Sequence, residues 1–441
     1  MRVIKLLMHY GLAKYRRNRW RSREELEAWQ QLKVKSFLKG IRRKSKFYGQ
    51  YYKDLPLDNW RIWKTTNKAI MMEQFDLLNT AGITKKEAFE IAIRAERERD
   101  FSSQLKGVTV GLSSGTSGNR GIFLVSEEER AAWAGTVLAK VLPGSLLSKH
   151  RIAFFLRADS NLYQTVHSRR LQFQFYDMIK PLQEQIEKLN LLQPTILVAP
   201  PSMLRFLSEA KLQGTLLIAP IKVISVAEVL EPIDKRYIEE AFQTSLHQVY
   251  QCTEGFLAAS CEHGTLHLNE DILVIQREYI DATRRIFTPI ITDFSRLTQP
   301  IIRYRLNDML TESEKPCPCG SVFTAIESVG GRMDDLFFGL HDQTNHRIPI
   351  FPDFIRRAVM MSSDRILEYK IVQLSETELV AALRIDGEEE SVKDALTGQL
   401  RSLFAEIQCK AAHVRFVPYR SQSGLQKLRR IERRYAVESG G

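Results

Sequence analysis

Between two short apolar stretches, Val108-Thr109-Val110 and Ile122-Phe123-Leu124-Val125, the chain runs Gly111-Leu112-Ser113-Ser114-Gly115-Thr116-Ser117-Gly118-Asn119-Arg120-Gly121. Eight of these eleven residues are Gly, Ser or Thr, too many for a link that only joins two strands. Ordered glycine costs backbone entropy, so several in one loop imply a close approach of backbone to a partner. Backbone N–H groups and hydroxyls that converge on one place suit phosphate oxygens. No Gly-Lys-Ser/Thr follows and both flanks are β-prone, so the loop is not of the Walker type. The chemistry read here is capture of a nucleotide's phosphates. The alternative is a long solvated hairpin loop.

The elements that must position such a loop are legible from periodicity and caps. Residues 1–50 read as helices, with Ser22 and Glu25 at capping-box spacing and Leu26, Trp29, Leu32 and Phe37 as the packed face. Thr84 precedes a helix from Lys85 to about Arg99, and Ser126-Glu127-Glu128-Glu129 starts one that ends before Pro143-Gly144. From 151 the pattern alternates: a strand at 151–156, a mostly helical run from Phe173 to Leu192, a strand at 195–199, a helix over 202–213 and a strand at 221–226. Alternation of this kind predicts an α/β fold with a parallel sheet, whose ligands lie at the carboxyl ends of the strands. Two such ends carry chemistry: Ser225-Val226-Ala227-Glu228, and Val249-Tyr250-Gln251-Cys252-Thr253-Glu254. After 260 come β-like pieces at 265–276, 285–293, 300–310 and 322–330. Gly330-Gly331-Arg332-Met333-Asp334-Asp335 then leads to a small α+β unit with a helix near 353–361, strands at 366–374, 378–385 and 412–417, and a helix at 388–406.

Length and composition bound the class. A chain of 441 residues with 44% hydrophobic content predicts more than one domain with ample core. No run approaches the roughly 18 apolar residues of a membrane helix, and the first ten residues are broken by Lys5 and His9, so neither a span nor a secretory signal is expected. Five cysteines, an odd number, make no disulfide framework, and a cytoplasmic location is the expectation. The net charge of +12 is localised: residues 1–50 hold 15 Lys/Arg against 3 Glu, which leaves 49 basic and 49 acidic residues elsewhere. The segment from Lys14 to Arg21 offers peripheral contact with anionic lipid or an acidic carrier protein; no specific nucleic acid is expected, and a solvated helical face is the plainer reading.

Taken in order, these motifs resemble the adenylate-forming superfamily of acyl-CoA synthetases and adenylation domains, and within it the phenylacetate–CoA ligase-like branch, related to synthetases that adenylylate a deazaflavin coenzyme. The resemblance spans roughly residues 20–435. It implies a large domain of α/β sheets with a β-rich subdomain over 51–333, preceded by the basic helical segment 1–50 and hinged to a small C-terminal α+β domain over 334–441. Ser113-Ser114-Gly115-Thr116-Ser117-Gly118 then matches the loop around the β- and γ-phosphates of ATP, with Arg120 where many members carry lysine. Tyr250-Gln251-Cys252-Thr253-Glu254 matches the Tyr-x-x-Thr-Glu signature: Tyr250 by the adenine, Thr253 near the α-phosphate, Glu254 on Mg²⁺. Ala227 and Glu228 would line the adenine. Ile301-Ile302-Arg303-Tyr304-Arg305-Leu306-Asn307-Asp308 resembles the branch's Ile-Arg-Tyr-Arg-x-x-Asp segment, in which Asp308 binds the ribose hydroxyls; alternation would put Arg303 and Arg305 on one face of a strand. Arg332 would approach the ribose, Asp334 would be the hinge pivot, and Lys427 would bridge the carboxylate and the α-phosphate, although Leu425 and Gln426 separate it from Gly424 where the family has the glycine adjacent.

Some members of the branch carry a zinc site, and the residues for one are present. Cys261-Glu262-His263-Gly264-Thr265-Leu266-His267 and the knuckle Cys317-Pro318-Cys319-Gly320 combine soft thiolates with imidazole, a closed structural Zn²⁺ set of four. The expected ligands are Cys261, His267, Cys317 and Cys319, with His263 as substitute; Cys252 and Cys409 are expected to be buried thiols. The function implied is ATP-dependent activation of a carboxylic acid to an acyl-adenylate with loss of pyrophosphate, then transfer to the thiol of CoA or a carrier protein's phosphopantetheine. The alternatives are AMP transfer to a coenzyme-like acceptor, or a nonenzymatic adaptor with the same fold that binds anionic partners through its basic N-terminus. Phe154, Phe155, Tyr163, Phe173 and Phe175 point to an aromatic or fatty acyl chain.

Overall fold

The computed structural model describes residues 2–98, 100, 104–113, 120–156, 170–178, 180–420 and 429–435. Its packing divides the chain into two units. The first comprises Met1–Glu228, Tyr237–Leu306 and Leu310–Ser328; the second comprises Val229–Arg236, Asn307–Met309 and Val329–Gly441.

The first unit is organised on a long mixed sheet. Its parallel part runs in the order Leu171–Asp177, His150–Leu156, Ile196–Ala199, Lys222–Ser225 and Leu246–Cys252. Ile196–Ala199 is buried at every residue, as a strand covered on both faces must be. Chain order reverses between His150–Leu156 and Ile196–Ala199, the switch point beside which open parallel sheets bind ligands. From Gly255–Ser260 onward the sheet turns antiparallel, through Leu266–Leu268, Ala325–Arg332, Asp308–Glu312, Ile286–Asp293 and Leu273–Tyr279. The run from Phe173 to Leu192 is only half helical: Leu171–Asp177 is a strand in register with His150–Leu156, and the helix is Leu182–Leu192. The alternating Leu171, Phe173 and Phe175 carried a strand period, overridden in the reading by the helical pattern after Pro181.

Glu127–Val141 lies against this sheet, opened by the expected capping box, in which Ser126 Oγ accepts from Glu129 N–H and Glu129 accepts from Ser126 N–H. The basic N-terminal helices belong to the first unit. Arg23 makes a two-pronged bond to the buried Glu270 at 2.5 and 2.6 Å, and Gln30 donates to the Glu270 carbonyl. Leu26 and Phe37 are buried as expected, but Leu32 is exposed.

The second unit is a four-stranded sheet, His413–Pro418, Glu378–Ile385, Ile366–Ser375 and Ile431–Arg433, with helices Pro352–Ser362 and Glu390–Glu406 closing a core around Phe337, Tyr369, Ile371, Leu396 and Phe404. At its centre lies a buried ionic cluster. Arg430 holds Asp234 at 2.6 Å and lies over the Tyr369 ring, while Arg356 pairs with Glu231 at 2.7 Å and Tyr369 donates to the same carboxylate. Removing one member of a buried pair strands the other's charge, at a cost of about 3–5 kcal/mol. Arg430→Met is therefore expected to destabilise the protein by about that amount in chemical unfolding, and Asp234→Leu added to it should restore most of the loss.

Candidate functional site

The carboxyl edge of the parallel strands is where the two suggestive segments emerge. Leu246–Cys252 and Gly255–Ser260 form an antiparallel hairpin closed by Thr253-Glu254, with a bulge at Tyr250/Gln251. Gly255 suits this position, since a Cβ would lie a tight 3.1 Å from Asp293 Oδ2. At the tip, Thr253 Oγ1 donates to Glu254 Oε2 at 2.8 Å and Tyr304 O–H donates to Glu254 Oε1 at 2.9 Å. Each carboxylate oxygen thus has one hydroxyl donor that fixes its direction and keeps further lone pairs for a cation. Burial, then the Glu254 charge, raises the Tyr304 hydroxyl far above the ordinary tyrosine range, so it remains a donor at every working pH. Nothing in the sequence marks Tyr304 as the orienting group, although it lies inside the Ile-Arg-Tyr-Arg segment.

The glycine-rich segment is a hairpin, as its flanks predicted: Val108–Leu112 pairs antiparallel with Ile122–Val125. Ser114, Gly115, Thr116, Ser117 and Gly118 lie outside the described residues. At the neck, Ser113 N–H donates to Gly121 O at 2.8 Å and Gly121 N–H to Ser113 Oγ at 2.7 Å, which closes the loop base. Arg120 is paired with Glu96 through both terminal guanidinium nitrogens, so the cation that stands where many members carry lysine is charge-matched here by a carboxylate. Arg296 ties this hairpin to the Glu254 turn: its guanidinium donates to Leu124 O at 3.2 Å and to Thr253 O at 3.3 Å. The turn carrying Arg296 is in turn fixed by Glu129, whose Oε1 accepts from Leu297 and Thr298 N–H. The Ser-x-x-Glu spacing announced Glu129 as a cap; nothing in the sequence announced its second partners or Arg296.

Asp293 starts that turn and is fully enclosed, with Ser295 N–H and Oγ donating to Oδ1 at 2.8 and 2.6 Å. Burial pushes its carboxyl up to about 6, against the pull of Ser295 and Arg296. The folded pKa then exceeds the unfolded one of about 3.9, so the native state holds the proton more tightly and stability falls as pH rises from about 4 to about 6. Asp293→Asn keeps the Oδ1 acceptor and removes the charge. It should raise Tm relative to the parent by a few degrees at pH 8 and by much less at pH 4.5; an offset independent of pH would contradict this.

The remaining nucleotide-site candidates are placed as follows. Ala227 has φ +66, a left-handed backbone uncommon for a residue with a Cβ, and Glu228 accepts from Ser202 N–H at the start of helix Pro201–Leu212. Tyr250 lies on Leu246–Cys252, opposite Ala258. Asp308 begins strand Asp308–Glu312 beside Asn307, which accepts from Met333 N–H and donates to Asp334 Oδ2, both at 2.8 Å; Arg332 precedes this pair. Lys427 lies outside the described residues. The shared face expected for Arg303 and Arg305 does not occur. Arg303 takes φ +43, which breaks the alternation; its side chain is buried and donates to Trp63 O, while Arg305 is exposed and pairs with Glu278. Phe155 stacks on Tyr176 and Phe154 packs in the core with Phe173, so these aromatics account for themselves as packing; Tyr163 is outside the described residues.

The cysteine and histidine candidates do converge. The ligand atoms of Cys261, His267, Cys317 and Cys319 all lie within 4.8 Å of one another. Cys261 and Cys317 sulfurs are 3.6 Å apart, and Cys319 Sγ is 3.4 Å from His267 Nε2, close to the roughly 3.5–3.8 Å edges of a tetrahedral zinc site. His267 Nδ1 is 3.0 Å from Phe323 O, the outer partner that fixes a ligating imidazole with Nε2 inward. Both cysteine turns close on a left-handed glycine: Gly264 (φ +78) donates to Cys261 O, and Gly320 (φ +69) to Cys317 O. His263 is exposed and outside the set. The donor set fits Zn²⁺. Cys409 is buried against Gly339, and Cys252 is only half-buried.

No protein-family model and no curated protein matches the sequence. Solved structures do match over most of the chain. A 2-hydroxyisobutyryl-CoA ligase in the postadenylation state, in complex with an acyl-AMP, aligns with a TM-score of 0.71 at 15% identity, covering 93% of this chain and 90% of the other. The GH3.15 acyl acid amido synthetase aligns with a TM-score of 0.60 at 11% identity, covering 93% and 92%. The amide bond synthetase McbA from Marinactinospora thermotolerans aligns with a TM-score of 0.53 at 14% identity, covering 74% and 68%. The chain has the fold of the adenylate-forming ligases.

Proposed function

We propose that this protein is an ATP-dependent ligase that activates a carboxylic acid as its acyl-adenylate. The observation that carries the reading is the Glu254 carboxylate, held by one hydroxyl donor on each oxygen, in a turn whose Thr253 carbonyl Arg296 links to Leu124 on the second strand of the glycine-rich hairpin. A substrate carboxylate oxygen attacks the α-phosphorus of ATP in line; the new O–P bond forms as the bond to the β-phosphate oxygen breaks, and pyrophosphate leaves. Glu254 would hold Mg²⁺, which when bound neutralises charge on the phosphate oxygens. Ser113 to Gly118 would grip the departing pyrophosphate end, with Thr253 near the α-phosphate, Ala227, Glu228 and Tyr250 around the adenine, and Asp308 with Arg332 at the ribose. Lys427 is assigned the bridging role between carboxylate and α-phosphate, and Asp334 that of pivot for the C-terminal region.

In a second step a thiolate attacks the acyl carbon and AMP leaves. CoA is the proposed acceptor, with a carrier-protein phosphopantetheine as the other thiol of the same chemistry. Cys261, His267, Cys317 and Cys319 would hold a structural Zn²⁺ away from these steps. Incubation with ATP, Mg²⁺, CoA and a panel of aliphatic and aromatic acids tests the reading. The expected products are AMP, pyrophosphate and an acyl-CoA for at least one acid; AMP and pyrophosphate without thioester would move the acceptor away from CoA.

A further inference from the structure

The first helix, Arg2–Arg17, is amphipathic in an unusual sense. Its inward face, Leu6, Tyr10 and Ala13, packs on helix Glu127–Val141, which approaches so closely that a Cβ on Gly135 would lie 2.4 Å from Leu6 O. The outward face is apolar too. Val3 is 67% exposed, Ile4 71%, Leu7 49% and Met8 57%, a stripe at the i, i+1, i+4, i+5 positions of one helix face. It continues over Gly11, which has nothing near its Cβ position, to the exposed Tyr15. Single exposed leucines are unremarkable, but four large apolar side chains in consecutive turns form a patch that a partner normally covers.

Charge selects the partner. Residues 1–23 contain eight Lys/Arg and no Asp or Glu, although the chain beyond residue 50 is electrically balanced. Lys5 and Arg17 are matched by Glu128 and Glu262 of the body and Arg16 caps the Asp271 carbonyl, so helix and body form one fixed surface. Arg19 and Arg21 are exposed beyond its end. A second copy docking through the same face would bring two such positive segments together. An anionic bilayer offers both an apolar interior for the stripe and negative headgroups for the basic flank. We propose that the outward face of Arg2–Arg17 docks the protein on anionic membrane surfaces, with Val3, Ile4, Leu7 and Met8 entering the headgroup boundary. The proposal is independent of the catalytic reading.

The test is co-sedimentation of the full-length protein with phosphatidylcholine vesicles with and without about one third phosphatidylglycerol. Wild type should partition at least about tenfold more strongly to the anionic vesicles, less so as salt is raised. Ile4→Glu/Leu7→Glu, and separately Met8→Glu, should lower that partition about tenfold with an unchanged thermal melt, whereas Leu191→Glu, a highly exposed leucine elsewhere, should not. The proposal is overturned if wild type stays in the supernatant, or if the Ile4/Leu7 variant binds as wild type. It is equally overturned if these substitutions instead dissociate a wild-type dimer in sedimentation velocity while vesicle binding is absent.

Discussion

Glu254→Gln should lower carboxylate-dependent pyrophosphate release by about 10²–10³-fold, with the melting temperature essentially unchanged. The substitution keeps the shape and one of the two hydroxyl contacts, since the single amide oxygen still accepts from Tyr304 or Thr253, but the other acceptor oxygen becomes an NH₂ and the negative charge is lost. A hard cation bound with nucleotide phosphates usually relies on only one or two protein carboxylates, so loss of one removes a large share of the protein's contribution. The loss should fall on the chemical step and on the apparent Mg²⁺ requirement. Tyr304→Phe, which leaves the charge and removes only the orienting donor, should cost far less. Equal losses in the two variants would argue that the carboxylate serves structure rather than charge.

Replacing Cys317 and Cys319 together with serine should abolish binding of about one zinc per chain, measured by metal analysis of the purified protein. Loss of two of four ligands removes the site's closure, and binding energy that was part of folding energy goes with it. The effect should be local first. The cluster joins the turn after Gly255–Ser260 to the loop before Ala325–Arg332, so increased amide exchange is expected at Leu266–Leu268 and around Phe323. A chelator should reproduce that pattern in wild type and change nothing further in the double variant. A metal-free wild type with the same exchange protection would overturn the assignment.

Much of this molecule was legible in its residue order because local physics and fold agreed. Ser126 with Glu129 announced a helix start; soft thiolates and an imidazole in two short segments announced a ligand set; glycine density between two β-prone runs announced a hairpin. Legibility ended where long-range contacts decide. Leu171–Asp177 reads ambiguously until His150–Leu156 pairs beside it, and the positive φ at Arg303, which separates two arginines that alternation would align, depends on Thr66 and Thr292 bonding around it. Arg296 and Glu129 show the same limit at the candidate site. Their residue types are ordinary for a loop and a cap, and only the fold reveals that Arg296 joins the Glu254 turn to strand Ile122–Val125 while Glu129 holds the turn that carries Arg296. The outward apolar stripe of the first helix is hidden in the sequence for a related reason: apolar residues lie on both sides of this helix, and only the fold shows that Leu6 and Tyr10 are covered while Val3, Ile4, Leu7 and Met8 are not.

The central claim is that a carboxylate attacks the α-phosphorus of ATP at the Glu254 site. Carboxylate-dependent exchange of labelled pyrophosphate into ATP tests it most directly, because exchange requires reversible adenylate formation and no thiol acceptor. Exchange above the no-acid background is expected for at least one member of a broad acid panel, and its loss is expected in Glu254→Gln. ATP-competent folding with no exchange for any acid, or exchange that survives intact in Glu254→Gln, would contradict it.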